Sequence, residues 1–328
     1  MSKFTALIAA ASAATGAACT AFFFSTRSQP APVTAAAPAS APVLSGSGSA
    51  AVKQALQSPV NPAGLFQYGF PGPVNDLATR QALVSSFDRR TRNPIWVAEH
   101  ITAASLKMHG GDRKHSQFLE DDAIPEKFRG KLKDYFRSGY DRGHQVPAAD
   151  AKFSQDAMND TFYLSNMCPQ VGDGFNRDYW AHFEDFSRRL TQKYTSVRII
   201  TGPLYLPRLH PDGKYRVSYE VIGNPPNIAV PTHFYKVIIG EGQLDAQGNA
   251  VGPVAVGAFV MPNAVIDNKT PLTEFVAPLE IVERAAGVEF MPLLKAERKK
   301  ELCREVKCEI HVREFAKQVK GQQPVQKR

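Results

Sequence analysis

Cysteine is scarce, with four in 328 residues. One of them, Cys19, sits in a leader-like N-terminus, so no disulfide framework is expected in the body of the chain. Cys303 and Cys308 followed by His311 lack a fourth ligand and have no usual zinc spacing; two reduced thiols near a helix-to-strand turn are expected, with a redox-sensitive pair as the alternative. Glycine-rich phosphate loops and dinucleotide fingerprints are missing, as are His-x-His and Glu-x-x-His zinc pairs. Ser165 lacks the flanking glycines of a nucleophile elbow, and Asp141, Asp150 and Asp173 have no spacing that supports a two-metal carboxylate site. Acidic residues are absent before Asp76.

The last absence helps locate the charge. The formal +8 suggests a polyanionic partner, but residues 76–294 sum to −1 and residues 295–328 to +6. A catalytic domain that binds nucleic acid must therefore do so through a local basic cleft. The basic C-terminal extension, with Arg298, Lys299 and Lys300, is expected to add salt-sensitive attraction.

Residues 1–24 are apolar, acid-free and rich in Ala and Ser, just long enough at ~20 residues to cross a bilayer but weakly hydrophobic. A mitochondrial presequence with an inner-membrane anchor, a secretory signal and an uncleaved anchor all compete for this stretch. Residues 29–49 alternate Pro, Ala, Ser and Gly and read as a disordered linker. The organisation expected is a targeting segment and linker over 1–60, one domain over 61–294 and a basic extension over 295–328.

The body reads as α+β with a central antiparallel sheet flanked by helices. Ala82–Phe87 and Ile95–Ile101 pattern as a hairpin; Ser196–Thr201, Tyr215–Ile222, Asn227–Gly240 and Val254–Met261 are β-rich. Asn176–Tyr194 is the clearest helix, because Tyr179, Trp180, Phe183, Phe186 and Leu190 recur at three and four. Those aromatics are expected in the core. Lys295–Lys300 reads as an exposed helix.

The chemistry concentrates in Gly139-Tyr-Asp-Arg-Gly-His144. A neutral imidazole with a pKa near ~6.5 takes a proton from water, and a neighbouring guanidinium matches the fork of a phosphate. Leu164-Ser-Asn166 and Gly174-Phe-Asn176 then add two amides. A lone histidine in a strand is more often structural; Arg142, Gly143 and the two Asn blocks reverse that reading. Asn176 alone is balanced between metal ligand and helix cap, since the apolar period starts just after it. Arg142 is open between phosphate and a pairing with Asp141, and Glu184 between site residue and solvent-facing charge.

These stretches, with Gln67-Tyr-Gly-Phe-Pro-Gly72, Phe87–Glu99, Thr201-Gly-Pro-Leu-Tyr205, Val230-Pro-Thr-His-Phe234 and Val260-Met-Pro-Asn263, resemble the DNA/RNA non-specific endonucleases of the ββα-metal superfamily, in its mitochondrial endonuclease G branch. The resemblance implies a ββα-metal fold, and His144 as the base that activates water. It implies Asn176 as the direct ligand of Mg²⁺, with Mn²⁺ as a substitute. Asn166 becomes the amide that orients His144, and Glu184, eight residues on and about 80° around a helix, the acid that holds metal-bound water. Arg142 neutralises phosphate, and Arg113 in Gly111-Asp-Arg-Lys114 matches an upstream phosphate-binding arginine only loosely, because that loop aligns poorly. It further implies cleavage of DNA and RNA to 5′-phosphate and 3′-hydroxyl ends, a homodimer, and residence in the mitochondrion at the inner membrane or intermembrane space, with secretion as the alternative. The rival reading is a membrane-tethered nucleic-acid-binding protein on an inactive nuclease fold.

Overall fold

The computed structural model describes residues 76–248 and 250–313, so the targeting segment, the linker and the first motif at Gln67–Gly72 lie outside the described residues. No helix among the described residues is long and apolar enough to cross a membrane.

Thirteen strands are present among the described residues: β1 (Asp76–Thr79), β2 (Val84–Asp88), β3 (Asn93–Ile101), β4 (Asp141–His144), β5 (Met167–Gln170), β6 (Ser196–Leu204), β7 (Arg208–Leu209), β8 (Tyr215–Arg216), β9 (Val221–Ile222), β10 (Ile228–Ala229), β11 (His233–Leu244), β12 (Ala250–Pro262) and β13 (Lys299–Glu301). The helices are α1 (Ala103–Lys107), α2 (Leu132–Tyr135), α3 (Gln155–Asp160), α4 (Tyr179–Arg189), α5 (Leu279–Ala286) and α6 (Leu302–Glu305). Seven strands form the main sheet in the order β1-β2-β3-β6-β11-β12-β13, antiparallel except for the last pair. The fold is α+β with a central, largely antiparallel sheet, as the pattern predicts.

Alternation along β11 separates the two faces. Phe234 and Ile238 join Trp180, Phe183 and Phe186 of α4 and Phe259 of β12 in one core. Tyr235, Val237 and Ile239 point the other way, into a second core closed by Val282 of α5. The helical stripe read from the sequence is thus the lid of the sheet. β4 and β5 pair apart from the main sheet and lead through an irregular turn, Gly172–Asn176, into α4. This strand–strand–helix unit carries the chemistry-bearing motifs.

Several sequence expectations are corrected. Asn227–Gly240 is not one strand: Pro231, which has no N–H to donate to a ladder, falls between β10 and β11. Tyr215–Ile222 is likewise broken into β8 and β9. The helix starts at Tyr179 with Asp178 as its cap, so Asn176 lies before it and is not its N-cap. The 80° offset to Glu184 therefore does not apply.

Lys295–Lys300 is no solvated helix. Ala296–Arg298 forms one tight turn and Lys299–Glu301 adds the parallel edge strand β13, while Leu302 enters the core. Cys303 and Cys308 are joined in a disulfide, against the expectation of two thiols; the turn of α6 brings their Cα atoms to 5.2 Å, within bridging range. Cys168 is a buried free thiol.

Candidate active site

β4 places His144 opposite Met167 at the end of the β4–β5 pair. Gly143 is required there by a close approach: a Cβ would meet the Gln170 side chain at 2.0 Å. The glycine thus makes room for a protein amide. His144 is 9% exposed and lies between aromatic rings, with Phe162 edge-on at 4.9 Å and Phe118 tilted at 5.6 Å between centroids. Its Nε2 has no hydrogen-bond partner among the described residues. Burial, then the positive charges of Arg113 and Arg142, pull its pKa down to about 3. The ring is therefore a neutral imidazole at neutral pH.

Arg142 is exposed, its guanidinium 4.1 Å from the centre of the Phe118 ring. It makes no ion pair among the described residues, because Asp141 is taken by Arg177 at 2.7 Å. Of the two readings of Arg142, the pairing with Asp141 is set aside. Arg113, the loosest of the sequence candidates, sits in the turn Arg113–His115 with its guanidinium 5.4 Å from the Phe162 ring, and its charge bears on both His144 and Glu184. The two arginines thus flank the aromatic cage from opposite rings.

Asn166 does not reach the imidazole. Its Oδ1 accepts from the Val146 N–H at 3.0 Å, and its Nδ2 donates to the carbonyls of Val146 and Thr161 at 3.0 and 2.8 Å. Its backbone carbonyl accepts from the Gln145 N–H at 2.9 Å. The amide fixes the main chain just after His144, so any orienting effect passes through the backbone rather than through the ring.

Asn176 donates from Nδ2 to Asp141 Oδ2 at 2.9 Å. That bond fixes which end of the amide is oxygen and leaves Oδ1 as a neutral acceptor. Among the described residues no group of three or more His, Cys, Asp or Glu could hold a metal. Asp141 and Asp173 are both bonded to Arg177, and Asp150 to Arg188 at 2.9 Å. A donor set of one oriented amide oxygen fits a hard cation that keeps most of its own waters, as Mg²⁺ does.

Glu184 is half-buried on α4, not a solvent-facing charge. Burial raises its pKa to about 7 against the opposing pull of Arg188, Lys236 and Arg113, while Asp150 pushes it up. Phe118, Phe162, Arg188, Glu99 and Lys236 have no assignment to the site from the sequence, and Asp150 enters there only as a rejected two-metal carboxylate. Lys236 had a signal, as a lone charge in the apolar run Phe234–Ile239.

The family model for DNA/RNA non-specific endonucleases matches residues 61–297. The chain is 61% identical over 258 residues to a mitochondrial nuclease of Saccharomyces cerevisiae, covering 78% of each chain. It is 44% identical over 232 residues to the mitochondrial endonuclease G of Homo sapiens, covering 71% of this chain and 74% of the relative. A solved EndoG in complex with EndoGI superposes with a TM-score of 0.65 at 45% identity, over 73% of this chain and 97% of that one. On sequence and fold alike, the chain belongs to the DNA/RNA non-specific endonuclease family and is a nuclease.

Proposed function

We propose that the chain is a Mg²⁺-dependent endonuclease, indifferent to sugar and sequence, that hydrolyses DNA and RNA to 5′-phosphate and 3′-hydroxyl ends. The observation that carries this reading is an uncharged His144 with an unpartnered Nε2, flanked by two arginines whose charge it would share with a bound phosphate. His144 takes the proton of the attacking water. Binding of a phosphate against Arg113 and Arg142 cancels their repulsion and raises the basicity of the ring as the substrate arrives. Arg142, free of carboxylates, binds phosphate through its fork.

Asn176 holds the cation through Oδ1, with Asp141 fixing the amide. The metal, Mg²⁺ or in its place Mn²⁺, supplies charge neutralisation at the phosphate and the leaving oxygen. Asn166 keeps residues 145–166 folded around the base, and Glu184 contributes negative charge on the helix beside them. Contacts to backbone rather than to base edges account for indifference to sequence.

The relatives' names support a mitochondrial setting; a homodimer, and association with the inner membrane through the N-terminal segment, complete the proposal. The test is cleavage of plasmid DNA and of single-stranded RNA with and without Mg²⁺, using His144→Ala as control and end-labelling of products. Metal-independent cleavage, or an active His144→Ala, overturns it.

A further inference from the structure

Arg177 follows Asn176 in the chain and grips the carboxylate to which that amide is bonded. Its Nη1 donates to both oxygens of Asp141 at 2.7 and 2.8 Å, while Nε and Nη2 donate to Oδ1 of Asp173 at 3.2 and 2.8 Å. Asp141 opens β4 and Asp173 lies in the turn before α4, so one guanidinium ties the strand to the turn. A planar fork makes these bonds together; an ammonium does not.

The guanidinium also has a seat. Gly172 is buried, and a Cβ there would meet Nη2, Cζ and Nη1 of Arg177 at 2.5, 2.9 and 3.0 Å. The main chain closes beneath it: the Arg177 N–H donates to the Gly172 carbonyl at 3.1 Å and the Asn176 N–H to the Val171 carbonyl at 2.9 Å. Two carboxylates and a glycine thus fix where the fork lies.

Stability does not account for the arrangement. The side chains of Arg177 and Asp173 are 47% and 97% exposed, and ion pairs so open to water contribute little to folding. What the clamp fixes is direction. Asp141 Oδ2 accepts from Asn176 Nδ2 at 2.9 Å, so a carboxylate gripped at both oxygens dictates which end of the amide is left to a cation.

We propose that Arg177 is a positioning residue of the nuclease site: through Asp141 it sets the orientation of the Asn176 amide, and with it the affinity of the site for a divalent cation. The inference rests on the function proposed above for the cation, and on the structure alone for the amide. Were Arg177 to act by its charge alone, its removal would relieve a repulsion and tighten cation binding. Loss of positioning weakens that binding, so the two readings differ in sign.

The experiment has two readouts. In the metal-free, ¹⁵N-labelled full chain, the side-chain amide signals of Asn176 are identified by their loss in Asn176→Ala. The bond to Asp141 should displace them from the free-amide position in wild type. Arg177→Met should return them toward it, while the backbone N–H groups of residues 176 and 177 keep their protection from hydrogen exchange. Arg177→Lys, which keeps the charge and loses the fork, should move them the same way. In cleavage, Arg177→Met should raise the Mg²⁺ concentration for half-activation by about three- to tenfold, short of the range for a support that bonds the ligand directly, with the rate at saturating Mg²⁺ nearly unchanged.

Amide signals that stay at their wild-type position overturn the proposal, as does a half-activation concentration that is unchanged or lowered. Loss of backbone protection together with the amide shift also overturns it, by making the clamp a structural tie of the turn. If Arg177→Met does not fold, Arg177→Lys must meet the same requirements. A wild type whose cleavage is independent of Mg²⁺ would sink the functional reading instead, and the amide signals alone would still decide the role of Arg177.

Discussion

Two corners of the molecule bury an ionisable group beside the same arginine, and burial drives the two groups in opposite directions. At the end of β4, His144 falls from its usual 6.5 to about 3; on α4, Glu184 rises from 4.5 to about 7. In both cases the uncharged form gains, yet the surroundings differ. The histidine has two arginines and two aromatic rings and no acid to offset them. The glutamate has three cations opposing the desolvation and so stays within reach of physiological pH.

Linkage makes the contrast measurable. A lowered histidine means that the unfolded chain binds more protons between about 3 and 6.5, so stability rises with pH there. A raised glutamate means that the folded chain binds more protons between 4.5 and about 7, so its contribution falls as pH rises through that window. The two corners oppose each other near pH 5 to 6, and removing either side chain should tilt the balance toward the other.

The largest expected effect separates the corners outright. His144→Ala should lower cleavage by roughly 10²–10⁴-fold, the range for loss of a general base, with nucleic-acid affinity little changed. Retained activity would move the base elsewhere, with Glu184 the next titratable group to examine. Next, Asn176→Ala should raise the Mg²⁺ concentration for half-activation by about 10–100-fold, as loss of a metal-site ligand or its support does. Asp141→Ala, which frees the amide without deleting it, should give a smaller shift in the same direction; an unchanged activation curve in both would take the metal away from this turn.

The pH profile sharpens the comparison further. Since His144 is already neutral above about 3, the acid limb of kcat/KM should have its midpoint near the Glu184 value of about 7, losing about tenfold per pH unit below it. The active form is the carboxylate, so activity rises with pH through this range. Glu184→Gln should flatten the limb and lower the plateau. A limb centred near pH 3 in wild type would assign the titration to His144.

How far the sequence carried depends on the range of each interaction. The helical stripe Tyr179–Leu190, the hairpin at 84–101 and the motif around His144 were legible because period and local chemistry define them. What Asn166 bonds to was not legible, since its partners Val146 and Thr161 are set by the path of the whole 145–166 segment. Nor was the pairing of Asp141 with Arg177, 36 residues away, which frees Arg142 and fixes Asn176 at once. The buried charges Glu99 and Lys236 come from different strands and become neighbours only when β3, β6 and β11 lie side by side.

The smallest effects lie in the C-terminal segment, where the sequence suggested a basic arm for nucleic acid and the structure shows side chains already engaged. Arg298 donates to the carbonyls of Gly252 and Ala250 at 2.9 and 2.6 Å, holding the start of β12. Lys299 and Lys300 lie on β13, at the edge of the sheet, where charged side chains guard against pairing with another chain. Beyond them Leu302 is buried and Arg189 donates to the Glu309 carbonyl at 3.0 Å, so the segment is bound to the end of α4. Arg298→Gln should therefore lower the melting temperature while leaving the salt dependence of nucleic-acid binding as it is. Lys299→Gln/Lys300→Gln should leave stability unchanged and reduce the log–log salt slope by less than about two, the limit if both lysines neutralised a phosphate. A slope change of that full size would restore the arm to the binding surface, whereas an unchanged slope with slow self-association would assign both lysines to protecting the sheet edge.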